Sequence, residues 1–206
     1  MDSFRRGESV TLLVICLVLL TVSGIHPTDR LTWFLEVLPI LVAIPILILT
    51  ARRFPLTALN YRLLFFHSLV LILGAHYTYA KVPPGLWIQE LLGLARNHYD
   101  RFGHFVQGFV PAILTREILL RCTPLVRGGW LFFLVLCVCL AISASYEFLE
   151  WWAAVIAGGE ADDFLAMQGD PWDAQWDMFL ALVGAATAQL VLWRVHDREL
   201  KAIQQE

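Results

Sequence analysis

The sequence predicts an all-α integral membrane protein, a bundle of about six transmembrane helices with an interfacial helix between the third and fourth. Three observations carry this. Of 206 residues, 58% are hydrophobic and only 16% are charged, far from the balance of a water-soluble domain. Apolar runs of spanning length recur along the chain. Arginine and lysine gather on alternate connections, as they do on one side of a membrane.

A spanning helix needs roughly 20 mostly apolar residues. The runs that meet this are Ser9 to Gly24, Leu31 to Thr50, Leu59 to Ala80, Phe102 to Leu120, Trp130 to Ala157 and Gln175 to Trp193. The first follows Arg5 and Arg6 and ends in Val22-Ser23-Gly24, which also has the shape of a signal peptide. The apolar bundle available for it to pack against favours a retained helix. Pro39 and Pro45 are expected to kink the second run. No linker or repeat separates the runs, so residues 1–206 are expected to form a single multi-pass domain.

With a cytoplasmic N-terminus, the inner side collects Arg5, Arg6, Arg52, Arg53, Arg62, Arg116, Arg121, Arg127, Arg194, Arg198 and Lys201. Only Arg30, Lys81, Arg96 and Arg101 remain outside. Both termini are then cytoplasmic. Trp33, Trp87, Trp151, Trp152, Trp172 and Trp176 mark the outer interface, and Trp130 and Trp193 the inner. Between the third and fourth spans, Pro83-Pro84 starts a short segment in which Trp87, Ile88, Leu91, Leu92 and Leu94 make a wide apolar stripe. It is expected to lie flat on the outer leaflet.

A net charge of -3 and the lack of a basic patch interleaved with exposed aromatics exclude a nucleic-acid partner. Cys16, Cys122, Cys137 and Cys139 lie in or beside apolar runs without metal-finger spacing, and read as small core hydrophobes. The chain has no phosphate-binding glycine loop, no nucleophile elbow and no H-E-x-x-H.

The polar residues inside the spans are unevenly placed. A charge near the bilayer centre costs at least ~2.5 to 3.5 kcal/mol on insertion scales, so its position needs a reason. The fourth span opens with Asn97-His98-Tyr99-Asp100-Arg101-Phe102-Gly103-His104. The fifth closes with Tyr146-Glu147-Phe148-Leu149-Glu150, and the sixth opens with Asp173-Ala174-Gln175-Trp176-Asp177. Asp100/His104, Glu147/Glu150 and Asp173/Asp177 each share a helical face, and all three helix ends point outward. His76 and Glu36 fall near the same depth.

So many carboxylates require compensation by a metal, by protons, or by Arg96 and Arg101. Mixed imidazole and carboxylate ligands suit Zn, Mn or Fe better than Ca or Mg. Asp100, His104, Glu147, Glu150, Asp173 and Asp177 are therefore the candidate divalent-metal ligands, with Glu147, His104 and His76 as candidate catalytic groups. The expected substrate is a lipid or envelope-glycan headgroup. A proton-coupled transporter, with His67 and Gln107 as steps, and a non-catalytic headgroup-binding scaffold are the alternatives. Glu160, Asp162 and Asp163 read as a solvated loop, and Arg116-Glu117 as an anchor pair at the cytoplasmic end.

The motifs His76-Tyr77-Thr78-Tyr79, Tyr99-Asp100-Arg101-Phe102-Gly103-His104-Phe105, Ser145-Tyr146-Glu147-Phe148-Leu149-Glu150-Trp151 and Gly169-Asp170-Pro171-Trp172-Asp173-Ala174-Gln175-Trp176-Asp177 resemble the YjdF family of bacterial inner-membrane proteins, over nearly the whole chain. That resemblance implies a bacterial cytoplasmic-membrane location and no established activity. From Asp100 to Gln189 the chain more loosely resembles VanZ-like membrane proteins, through Asp100, His104-Phe105, Glu147, Asp173, Asp177 and Gly184-Ala185. Asp177 and Glu150 stand where that family usually has amides, which makes the cluster here more acidic.

Overall fold

A computed structural model describes residues 3–157 and 168–204, with side chains from 7 to 156 and 168 to 203. Glu160, Asp162 and Asp163 lie outside the described residues, as do the side chains of Arg5 and Arg6. The described residues form α1 (Ser3–Ser23), α2 (Arg30–Thr50), α3 (Ala58–Tyr77), a 3-10 turn (Tyr79–Lys81), α4 (Pro83–Leu92), α5 (Tyr99–Cys122), α6 (Gly129–Ala157) and α7 (Asp173–Gln204), with no strand among them.

Four helices are long and apolar enough to cross a bilayer, namely α2, α3, α6 and α7. The apolar stretch of α1, Gly7–Ser23, is shorter. The fifth helix has the length, 24 residues, but carries too many polar groups to qualify by hydropathy. It does not need to. Packed between α3, α6 and α7, it turns Asp100, His104, Arg116 and Glu117 into protein rather than lipid.

Polar caps and tight contacts decide where helices stop. Asp29 caps α2 by accepting the Thr32 N–H at 2.7 Å. α3 ends at Tyr77 rather than continuing to Ala80, because Thr78 takes φ 61° and reverses the chain. A β-branched residue pays for that conformation. The reversal lets Tyr79 fold back over Gly74 and Gly103, where a Cβ would strike its ring. α4 lies within the expected segment, and Gly93 in the left-handed conformation closes it at Leu92, two residues before the last member of the stripe, Leu94. Its Trp87, Ile88, Leu91 and Leu92 are exposed, as a helix resting on lipid requires.

α7 continues well past Trp193, and its 32 residues span about 48 Å, more than a ~30 Å hydrocarbon core. The surplus end folds onto α5 and the start of α3. Glu117, fully buried, accepts from Thr57 N and Oγ1, Asn60 Nδ2 at 2.6 Å and Arg121 Nη1 at 2.6 Å, and lies 3.2 Å from His196 Nε2. Arg116 reaches His196 Nδ1 and Asp197, so the expected anchor pair is two neighbours that meet through His196, which lies between them. With the Glu117 carboxylate satisfied on both oxygens, this network clamps three helices at the end opposite the acidic motifs.

Of the cysteines, Cys16 and Cys139 are buried and Cys122 and Cys137 are exposed, all as free thiols. Cys16 and Leu20 of α1 pack with Val37, Ile40, Ile72 and Ala75 of α2 and α3.

Candidate metal and headgroup site

Small residues set the site. In lipid, helices associate through close packing rather than through hydrophobic exclusion from water. A Cβ on Gly108 of α5 would meet the Ala181 carbonyl oxygen of α7, and one on Gly184 would meet the Phe105 carbonyl oxygen. Ala112, Ala185 and Ala188 extend the same seam, fully buried. Backbones this close bring the first turns of α5 and α7 side by side, with the last turns of α6 against them.

His104 is the centre of what results. Its Nε2 lies 3.6 Å from Asp100 Oδ1 and 3.8 Å from Asp177 Oδ2. Its Nδ1 lies 2.8 Å from Gln107 Oε1 and 3.9 Å from Glu147 Oε1. Asp100, His104 and Asp177 are 6%, 7% and 3% exposed. Ligand atoms of Asp100, His104 and Asp177 fall within 4.8 Å of one another, as do those of His104, Glu147 and Glu150. Atoms ~2 Å from a shared ion sit ~3 to 3.5 Å apart, so little adjustment would bring either trio onto one.

Two buried carboxylate oxygens here, Asp177 Oδ1 and Glu147 Oε1, have no hydrogen-bond partner among the described residues. The buried Glu117 carboxylate at the other end of the bundle shows the contrast, with partners on both oxygens. An unsatisfied oxygen in such surroundings is costly, so these two fit a ligand that supplies positive charge.

Asp173 behaves differently from its helical neighbour. It binds Arg96 Nη1 at 2.6 Å, and Arg96 also approaches Asp100 at 3.8 Å and Asp170 at 3.5 Å. Arg101 pairs with Asp170 at 2.6 Å and lies over the Trp176 ring. Neutralisation by arginine thus holds for Asp170 and Asp173, in a layer above the His104 group. His98, beside this layer, is held below the usual histidine range by partial burial and by Arg101 and Arg96.

Glu36 is buried within reach of the Tyr79 and Tyr146 side chains and shares a cavity wall with Asp100, His104 and Glu150. His76 is not brought to the cluster. Its Nδ1 bonds the Ser23 carbonyl at 2.8 Å, tying the ends of α1 and α3. His67 and Gln107 both line the cavity, Gln107 beside His104.

Asn97 and Gln168 matter to the site without having been singled out for it. Asn97, fully buried, donates to the Ala80 and Val82 carbonyls and accepts from Tyr99 N. Gln168 accepts from Asn97 N at 3.0 Å and donates to Asn97 O at 2.9 Å. These bonds place Arg96. The available signal was that Asn is a poor helix interior residue and a good turn residue, so α5 was due to start after it.

The cavity that begins at the cluster has a volume of about 740 Å³ and runs between α1, α2, α3, α5 and α6 to Ser9, Arg52 and Tyr61 at the opposite end. Apart from His67, Ser68, Gln107 and the residues at its two ends, its walls are chiefly apolar.

A family model described as "Predicted membrane protein (DUF2238)" matches residues 8–198. Inner membrane protein YjdF of Escherichia coli (strain K12) is 53% identical over 184 residues, which cover 89% of this chain and 88% of that protein. No solved structure matches. The YjdF likeness read from the motifs is therefore established, whereas the VanZ-like one rests on the motif residues alone.

Proposed function

Because the chain belongs to the DUF2238 family of membrane proteins and its own fold leaves buried carboxylate oxygens unpartnered beside a histidine, we propose that His104, Asp100 and Asp177 hold a divalent cation. The site would act on a lipid or envelope-glycan headgroup at the outer face of the bacterial inner membrane. The carrying observation is the pair of orphaned oxygens, Asp177 Oδ1 and Glu147 Oε1, on opposite sides of His104.

The histidine geometry supports a division of roles. With Nδ1 protonated and donating to Gln107 Oε1, Nε2 turns its lone pair between Asp100 and Asp177. Gln107 then acts as a positioning residue that sets the tautomer. Glu147 and Glu150, on the other side of the ring, would take and return a proton during hydrolysis or transfer, a role their closeness to His104 supports. A cation held there would acidify a bound water or polarise a phosphoryl oxygen. Asp173 serves Arg96 in this scheme rather than the cation, and His76 serves Ser23.

A proton-coupled carrier draws less support. Between His67 and Arg52 the cavity wall is supplied by Leu64, Ile44, Leu47 and Ile48, which offer no proton-carrying groups. The arginine distribution supports an outward orientation of the site.

Elemental analysis of the purified protein, after loading with Zn, Mn or Fe and desalting, tests the proposal. Stoichiometric metal in the wild type, lost in His104→Ala and Asp177→Asn, is the expected result. Absence of bound metal from well-folded wild-type protein overturns it.

A further inference from the structure

We infer that the long cavity holds the acyl chain of a bilayer phospholipid whose head lies at the His104 cluster, so that the substrate class is a membrane lipid. This rests on the proposed headgroup site for where the head sits, while the place of the chain stands on separate observations.

The first is shape. Along α2 the cavity wall runs from Glu36 to Ile48, about 18 Å at 1.5 Å per residue, and continues past the helix end to Ala51 and Arg52. That exceeds one leaflet of a ~30 Å hydrocarbon core and suits an extended chain better than a compact solute. The volume of about 740 Å³ lies within the range of built ligand sites.

The second is polarity. Ile40, Ala43, Ile44, Leu47, Leu64 and Phe65 form most of the middle of the wall, interrupted by His67, Ser68 and Gln107, and the carboxylates and arginine stand only at its ends. Water has few partners there, whereas hydrocarbon needs none.

The third is access. Ile142 on α6 and Val10 and Ile48 on α1 and α2 line the cavity and are also 40%, 54% and 54% exposed. The cavity therefore opens sideways at the level of the apolar belt, where the surrounding solvent is lipid. A chain entering from the bilayer exchanges one apolar neighbourhood for another, at little gain or cost. Selection must come from the head, which is where Asp100, His104, Glu147 and Glu150 stand.

The test uses the full chain in bilayer discs of phosphatidylethanolamine and phosphatidylglycerol, doped with a phosphatidylglycerol carrying a diazirine midway along one acyl chain. After illumination, adducts are mapped by mass spectrometry on two neighbouring pairs. Ala43 and Phe65 face the cavity, while Val42 and Phe66 are exposed on the outside of the same helices. Adducts are expected on all four. Ala43→Trp, which fills the cavity, should reduce those at Phe65 at least fivefold and leave Phe66 unchanged, whereas Val42→Trp should leave both unchanged. Leu64→Trp repeats the experiment from α3 should Ala43→Trp fail to fold.

No adduct at wild-type Ala43 or Phe65, or wall labelling that survives cavity filling in folded protein, overturns the inference. Metal content measured on the same samples separates the two proposals: wall labelling without metal sinks the cation and leaves the chain, and metal without wall labelling does the reverse.

Discussion

Gly108 of α5 and Ala181 of α7 meet backbone to backbone, with no room for even a Cβ on the glycine. The contact sits on the same two helices that bring His104 beside Asp177, about one turn along each. The helix seam and the site are one construction. Adding a methyl at Gly108 or Gly184 is therefore expected to separate the helices and cost about 1 to 3 kcal/mol. Thermal melts in detergent should show both Gly108→Ala and Gly184→Ala melting lower than wild type and losing bound metal. Gly7→Ala, where a Cβ meets nothing within 4 Å and a helical Ala is favoured over Gly, serves as the control and should melt no lower than wild type and keep its metal.

Asp173 and Asp177 share a helix face but have different partners. Asp177→Asn should weaken metal binding at least tenfold, with a small effect on stability, because it removes a proposed ligand with one oxygen unpartnered. Asp173→Asn should instead lower stability by about 1 to 3 kcal/mol, by breaking a buried pair with Arg96, and change affinity less. Metal titration and melting of both variants check the crossover. Equal effects of the two on metal affinity would count against the division.

Glu117 tests independence between the two ends of the bundle. Glu117→Gln leaves Arg121 and His196 facing a neutral amide in a fully buried network, and a cost of about 3 to 5 kcal/mol follows from breaking such a set on one side. Metal stoichiometry in the protein that remains folded should match the wild type, since the site lies at the opposite end. Loss of metal at full stability would contradict this assignment of Glu117.

Asn97→Ala removes both donors to the Ala80 and Val82 carbonyls and the acceptor for Tyr99 N. The turn before α5 should loosen, and Arg96 with it. Amide hydrogen exchange at residues 94–100 is expected to accelerate at least tenfold, equivalent to ~1.4 kcal/mol or more of lost protection. Exchange at the wild-type rate would show that the turn is held by something other than this side chain.

Asp29 lies outside the membrane-spanning helices and gives a pH dependence with a defined sign. The Thr32 N–H holds its carboxyl below the usual range. Its stabilising contribution is therefore present above the unfolded value of about 3.9 and is lost as pH falls through the folded one. Asp29→Ala should cost about 0.5 to 2 kcal/mol at neutral pH, and Asp29→Asn less, since Asn also caps. In melts between pH 7 and 3, the advantage of wild type over Asp29→Asn should shrink toward acid. A gap that widens toward acid would reverse the assignment.

Helix positions and the pairing of motifs were legible in the chain because both depend on local spacing. Apolar length marks a span, and residues three or four apart share a face wherever the helix goes. That reasoning reached Asp100, His104, Glu147, Glu150, Asp173 and Asp177 as one end of the bundle. It overestimated the reach of α3, where Thr78 reverses the chain to seat Tyr79 against Gly74, a contact that exists only after folding. It could not see α5 as an interior helix, because polar residues on a span read alike whether they face lipid or protein. The tertiary structure alone decided that Asp173 goes to Arg96 and Asp177 to His104, that His76 turns to Ser23, and that a cavity runs from the cluster through the bundle. Those outcomes depend on which backbones can approach, and the approach is permitted by Gly108 and Gly184, distant in sequence and opposed only across the folded seam.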